Sequence, residues 1–186
     1  MALGLMALCT ATGLLARGAA VAAPLRCPHA DVPAAQLTLR EFDASVFCLV
    51  NRRRAERGLR TLRPNPLLHQ AASEYSNSLV LGRFFSHSGD FTGHPNASTV
   101  IGRLRQIGYV RPGFDWIVGE DLRWAAPGTS SPVAIVQAWM ASPIHRMYLL
   151  KPRFAELGVA GSRGTPVDPS EPDGVTVAAE FGFRRN

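Results

Sequence analysis

Apolar residues recur at helical spacing as far as about residue 150, and at a spacing of two from there to the end. That switch of period constrains the fold most: helices first and antiparallel strands last make an α+β domain with helices packed on a sheet. In the closing segment VTVAAEFGF, Val175, Val177, Ala179, Phe181 and Phe183 alternate, predicting a strand with one buried side. FAELGVAG reads as its partner strand, joined to it by the proline-rich hairpin loop SRGTPVDPSEPDG.

The helices come with their own punctuation. Asp43 is placed to cap a first helix running to about Arg57, with Gly58 as its stop. Val46, Phe47, Leu49 and Val50 form its apolar face, and Asn51 to Arg54 its other face. Asn65-Pro66 opens a second helix, on which Leu67, Leu68, Ala71, Ala72, Tyr75 and Leu79 share a side until Gly82. Ser98 or Thr99 opens a shorter one with Val100, Ile101, Leu104 and Ile107 inward, ended by Gly108. IVGEDL reads as a short strand and turn. Ser131-Pro132 and Ser142-Pro143 then start two further helical segments, VAIVQAWMA and IHRMYLL.

At 186 residues there is room for one domain and a removable leader. The apolar run LGLMALCTATGLL, followed by Ala20-Val21-Ala22 or Val21-Ala22-Ala23 before Pro24, predicts a signal peptide over 1–23, although no basic residue precedes Arg17. The alternative is a buried amino-terminal helix. The run is too short to span a bilayer as a typical helix, so no transmembrane segment is expected after cleavage. An arm over 24–42 and a domain over 43–186 follow. Export leaves Cys27 and Cys48 in an oxidising compartment, where two thiols are expected to pair, the alternative being one buried cysteine and one free thiol.

The formal charge of +6 comes almost wholly from arginine, Lys151 being the single lysine. The arginines fall on separate predicted elements, not on one stripe with interleaved aromatics, which argues against nucleic-acid binding. A diffuse attraction to anionic cell-envelope polymers needs no specific site.

Three polar residues occupy unusual places. His87 follows two phenylalanines in FFSHSG, Glu120 follows Gly119 in the apolar IVGEDL, and His145 lies one turn into a helix. Two imidazoles and a carboxylate are the parts of a divalent-metal site, or of general acid–base chemistry near neutral pH. Each residue has a plainer reading as a satisfied structural hydrogen-bonder, and spacing alone does not join them. His69 is placed on a solvent edge, and Arg146 as a structural partner for a carboxylate such as Glu156. Ser86, Ser88 and Ser142 lie near the histidines in sequence, but no G-x-S-x-G elbow, H-E-x-x-H helix or phosphate loop is present.

In order, the segments LVNRRRAERGLRTLRPNPLLHQAASEYS, FFSHSG, IGRLRQIGY, VGEDL, AIVQAWMASPIHRMYLL, FAELGVAG and AAEFGF resemble the CAP superfamily (cysteine-rich secretory proteins, antigen 5, pathogenesis-related 1), in its bacterial secreted branch. The resemblance implies an α/β/α sandwich, a small antiparallel sheet between helical layers, with a cleft where His87, Glu120 and His145 converge. In the animal and plant branches the cleft holds two histidines and two glutamates. The second glutamate there follows the tryptophan matched by Trp139, where this chain has Ala141 and Ser142; Glu156 and Glu180 are the replacements on offer.

Two functions from different classes follow. The first is a secreted, extracellular or envelope-associated binding module for a lipid, divalent cation (zinc or calcium), wall component or protein partner. The second is a metal-assisted hydrolase, a peptidase or wall-acting enzyme, using His87, Glu120 and His145 with His87 and His145 on the metal. Without a dedicated nucleophile, the residues favour binding.

Overall fold

The computed structural model describes residues 25–88 and 99–185. The leader with Cys9, and the turn-rich segment carrying His94 and the Asn96-Ala97-Ser98 sequon, lie outside those residues. A short 3-10 helix at Ala34–Gln36 precedes α1 (Leu39–Ala55), β1 (Arg63–Pro64), α2 (Pro66–Leu81), α3 (Val100–Gln106), β2 (Asp115–Ala125), α4 (Pro132–Ala141), α5 (Pro143–Leu149), β3 (Glu156–Arg163) and β4 (Val175–Arg185). Among the described residues no helix is long and apolar enough to cross a membrane.

The sheet order is β1-β3-β4-β2. β2, β4 and β3 are antiparallel, and the two-residue β1 runs parallel to β3, so the sheet is mixed at one edge. Pro64 has no N–H with which to extend that edge. Where β1 stops, side chains complete the edge of β3. His69 Nδ1 donates to the Val159 carbonyl at 2.7 Å, and Asp43 Oδ1 accepts from Gly161 N–H at 2.8 Å. Such coverage blunts an open edge that would otherwise pair with another chain.

Asp43 is therefore not the cap of α1. The cap lies five residues earlier, where Thr38 and Glu41 form a capping box: Thr38 Oγ1 accepts from Glu41 N–H and Thr38 N–H donates to the Glu41 carboxylate. Burial pushes the Asp43 carboxyl up to about 7. Asn65 caps α2 as expected, accepting from Leu67 and Leu68 N–H, whereas Ser142 makes no side-chain cap on α5.

Helices cover both faces. Phe42, Val46, Leu49 and Val50 of α1, with Ile135, Val136 and Trp139 of α4, pack on Val175, Val177, Ala179 and Phe181. On the other face Ala72, Tyr75 and Leu79 of α2 meet Leu122, Ala160 and Ala178. The approach of α2 is so close that a Cβ on Gly158 would collide with the backbone of Leu68 and His69. β4 is thus buried on both sides, not one, and Phe183 is only half buried. Burial on both faces also explains why β2 is an eleven-residue strand where IVGEDL suggests a short one: a doubly covered strand loses its alternation of polar and apolar residues.

Asn51 and Arg54, placed by pattern on the outer face of α1, are buried. Asn51 exchanges two hydrogen bonds with the backbone of Leu62. Arg54 donates to the carbonyls of Arg60, Leu149 and Lys151, gathering three chain segments onto one guanidinium.

Cys27 and Cys48 form a disulfide, and the Val133 N–H to Ala30 carbonyl bond ties the same arm to α4. The bridge spans a sequence separation of 21, and Cys27 packs on the margin of the main core. Reduction is expected to lower stability by about 3 kcal/mol on chain-entropy grounds while the domain stays folded, a result that calorimetry with and without reductant checks.

Candidate functional site

The site forms where β2 passes between α3 and α5. Glu120 is paired in register with Glu180 of β4, so two carboxylates lie side by side on the face that α2 and α3 cover. Their side chains are 1% and 0% exposed. Charges buried this deeply persist only when paired and hydrogen-bonded.

Arg103 supplies the pairing. Its Nη2 donates to Glu120 Oε2 in a very short contact, and lies 3.4 Å from Glu180 Oε1. The guanidinium stacks on the Tyr75 ring, with Cζ 3.3 Å from the ring centroid. One cation serves two acids. Burial pushes both carboxyls above their ordinary range, and Glu180 rises furthest because the charge of Glu120 adds to burial while Arg103 opposes. Of the two, Glu180 holds its proton the more tightly, and Glu120 makes the closer contact with Arg103.

His87 Nδ1 is 2.7 Å from Glu120 Oε1. The loop holding it is fixed from below: Tyr75 OH donates to the Ser86 carbonyl at 2.5 Å, and Ser88 N–H donates to Ser86 Oγ at 3.1 Å. Burial, with the nearby Arg103 charge, holds His87 below the usual imidazole range, although its side chain is 54% exposed. Neutral His87 donates Nδ1–H to Glu120, leaving Nε2 as the lone-pair nitrogen. His145 of α5 lines the same cleft but makes no direct bond to Glu120. Burial, then His87, then Arg123 lower its pKa.

Around these groups lies a cleft of about 450 Å³. Its walls are apolar, formed by Val100, Ile101, Trp116, Val118, Ile144 and Tyr148. Ile101, expected in the core, is a wall of the cleft instead. Gly119 has no side chain because the Tyr148 ring occupies the space a Cβ would take.

Of the two replacement glutamates, Glu180 is beside Glu120 and Glu156 is elsewhere. Glu156 accepts from Tyr109 OH at 2.8 Å at the end of the sheet, and Arg146 donates to the Met140 carbonyl instead of pairing with it. Pattern reading passed over Arg103 and Tyr75. Arg103 lies three residues after Val100 and four before Ile107, on the inward side of α3, and that spacing is the signal for it.

The donor set does not fit a three-ligand metal site. Both oxygens of Glu120 are engaged, by His87 and Arg103, and among the described residues no group of three or more His, Cys, Asp or Glu side chains is arranged to hold a metal ion. Calcium, which needs six to eight oxygens, is served less well still. On the opposite face of β2 the buried Asp121 carboxyl has no hydrogen-bond partner and is pushed up to about 9, so it is neutral at pH 7.

Removing Arg103 takes the counter-charge from the buried Glu120. Arg103→Met is expected to cost about 3–5 kcal/mol, measured by denaturant unfolding, and Glu180→Gln much less, because glutamine keeps the shape and gives up only the longer, 3.4 Å contact with Arg103.

A model of the cysteine-rich secretory protein family (CAP) matches residues 47–168. The uncharacterized protein YkwD of Bacillus subtilis (strain 168) is 27% identical over 118 residues, which is 63% of this chain and 41% of that protein. The chain thus spans less than half of this curated relative. An outer surface protein of Borrelia burgdorferi superposes with a TM-score of 0.64 at 19% identity, covering 80% of this chain and 97% of that one. An extracellular protein containing a SCP domain, from Bacillus anthracis, superposes with a TM-score of 0.56 at 26% identity, over 78% of this chain and 43% of that one. The family match runs from α1 to the β3–β4 loop, and the chain belongs to the cysteine-rich secretory protein (CAP) family.

Proposed function

We propose that this protein is an exported binding module whose cleft takes a small molecule with an apolar body and a hydrogen-bond donor at one end. The carrying observation is that the carboxylate at the cleft is already committed to protein partners: Glu120 Oε1 lies against His87 and Oε2 against Arg103, while the walls around them are apolar. What the cleft offers a ligand is apolar wall and two neutral imidazoles. Export is supported by the disulfide, by the predicted leader, and by the extracellular and outer-surface descriptions of the structural relatives.

The competing reading, a metal-assisted hydrolase, rests on the Glu120–His87 bond, since a carboxylate holding one imidazole nitrogen is how many proteins orient a metal-bound histidine. It needs a third protein ligand or a nucleophile. Ser86, the nearest hydroxyl in sequence, already accepts from Ser88 N–H.

Titration with 1-octanol at pH 7.5, followed by amide and histidine NMR shifts, tests the proposal. Saturable changes confined to His87, Trp116, Val118 and His145, weaker with octanoate and lost in Ile144→Arg at the cleft mouth, are expected. Unsaturable changes spread over the surface would refute it. Zinc shifting both histidines while octanol shifts neither would favour the hydrolase.

A further inference from the structure

The arginines that the sequence scatters over separate elements come together at one end of the fold. A recess of about 280 Å³ there is lined by Arg60, Thr61, Arg63, Glu156, Phe183 and Arg184. Arg63 of β1 faces Glu156 of β3, and Glu156 faces Gly182 of β4, two residues before Arg184. Arg111 and Arg184 both donate to the Gly108 carbonyl, which brings a fourth guanidinium to the same rim.

Two carboxylates share this end, Glu156 in the recess and Asp115, which pairs with Arg185 at 3.0 Å. Glu156 accepts from Tyr109 OH and has Arg63 at 3.9 Å, so its carboxylate is committed within the recess. Arg184 is held rigidly over the Tyr109 ring, 4.7 Å from its centroid, and donates to the Tyr109 carbonyl. Arg60 and Arg63 remain exposed at the mouth. Guanidinium forks match phosphate oxygens, which they contact in pairs.

From this clustering we infer that the Arg60–Arg63–Arg184 recess is a binding site for phosphate groups of a linear polyanion. A bilayer fits less well. None of the large exposed apolar side chains among the described residues lines the recess, so nothing there anchors into lipid. The site lies apart from the His87–His145 cleft, shares no lining residue with it, and stands or falls independently of the ligand proposed there.

The test measures binding of medium-chain inorganic polyphosphate to the whole protein between about 50 and 200 mM salt. The double variant Arg60→Gln/Arg63→Gln is expected to bind roughly tenfold more weakly or worse, with a log–log salt slope shallower by about one to two. The comparison variant is Arg40→Gln/Arg123→Gln. Arg40 is at the far end of the 17-residue α1, and Arg123 is five residues along β2 from Val118, the partner of Gly182. This variant is expected to bind nearly as the parent does. Equal losses in the two variants would make the attraction diffuse and overturn the site. So would unchanged affinity in the first, or binding to phosphatidylglycerol vesicles without binding to polyphosphate. A thermal melt of each variant separates lost binding from lost folding.

Discussion

A single guanidinium, Arg103, lies between two carboxyl groups that the sheet has taken out of water. Glu120 and Glu180 are neighbours because β2 and β4 pair along eleven residues, and the register leaves them no alternative. Leaving two unpaired acids there would cost several kcal/mol. Arg103 reaches them from α3, sandwiched against Tyr75 of α2, so the salt bridge also fixes the two helices that cover this face. Tyr75 in turn holds the Ser86 carbonyl, and through it the loop that presents His87. The cleft is thus an extension of a buried charge network.

A second buried arginine does different work. Arg54 meets only carbonyl oxygens, and its partners at Arg60, Leu149 and Lys151 are loop ends that a sheet or helix would otherwise leave unsatisfied. Arg54 organises the chain, and Arg103 organises charge. Between them they place α5, and with it His145, opposite the loop of His87. The convergence of the two histidines is therefore a packing result in which no bond between either histidine and the other is needed.

Much of this is legible in the sequence because several elements carry local signals. Asn65-Pro66 states the start of α2 by itself, and the alternation in VTVAAEFGF states β4. The ordered motifs imply the sandwich and locate His87, Glu120 and His145 before any geometry. What stays hidden are residues whose roles are set by distant partners. Asp43 looks like a helix cap but spends its oxygen on Gly161, far along the chain. Arg54 reads as a solvent-facing charge until the three carbonyls around it are known. Glu180 sits among small and apolar residues, and nothing in its neighbours says that Glu120 lies opposite. The scattering of arginines is equally a property of sequence order, undone when β1, β3 and β4 bring their ends together.

The central claim is that Glu120 is committed to Arg103 and to a neutral His87. Titration of the His87 ring by NMR tests it most directly. The account predicts that His87 titrates below the ordinary imidazole value of about 6.5 and that the neutral ring carries its proton on Nδ1. A His87 that titrates above that value, or whose neutral form carries its proton on Nε2, would show that Glu120 does not hold a neutral ring through Nδ1–H and contradict the account.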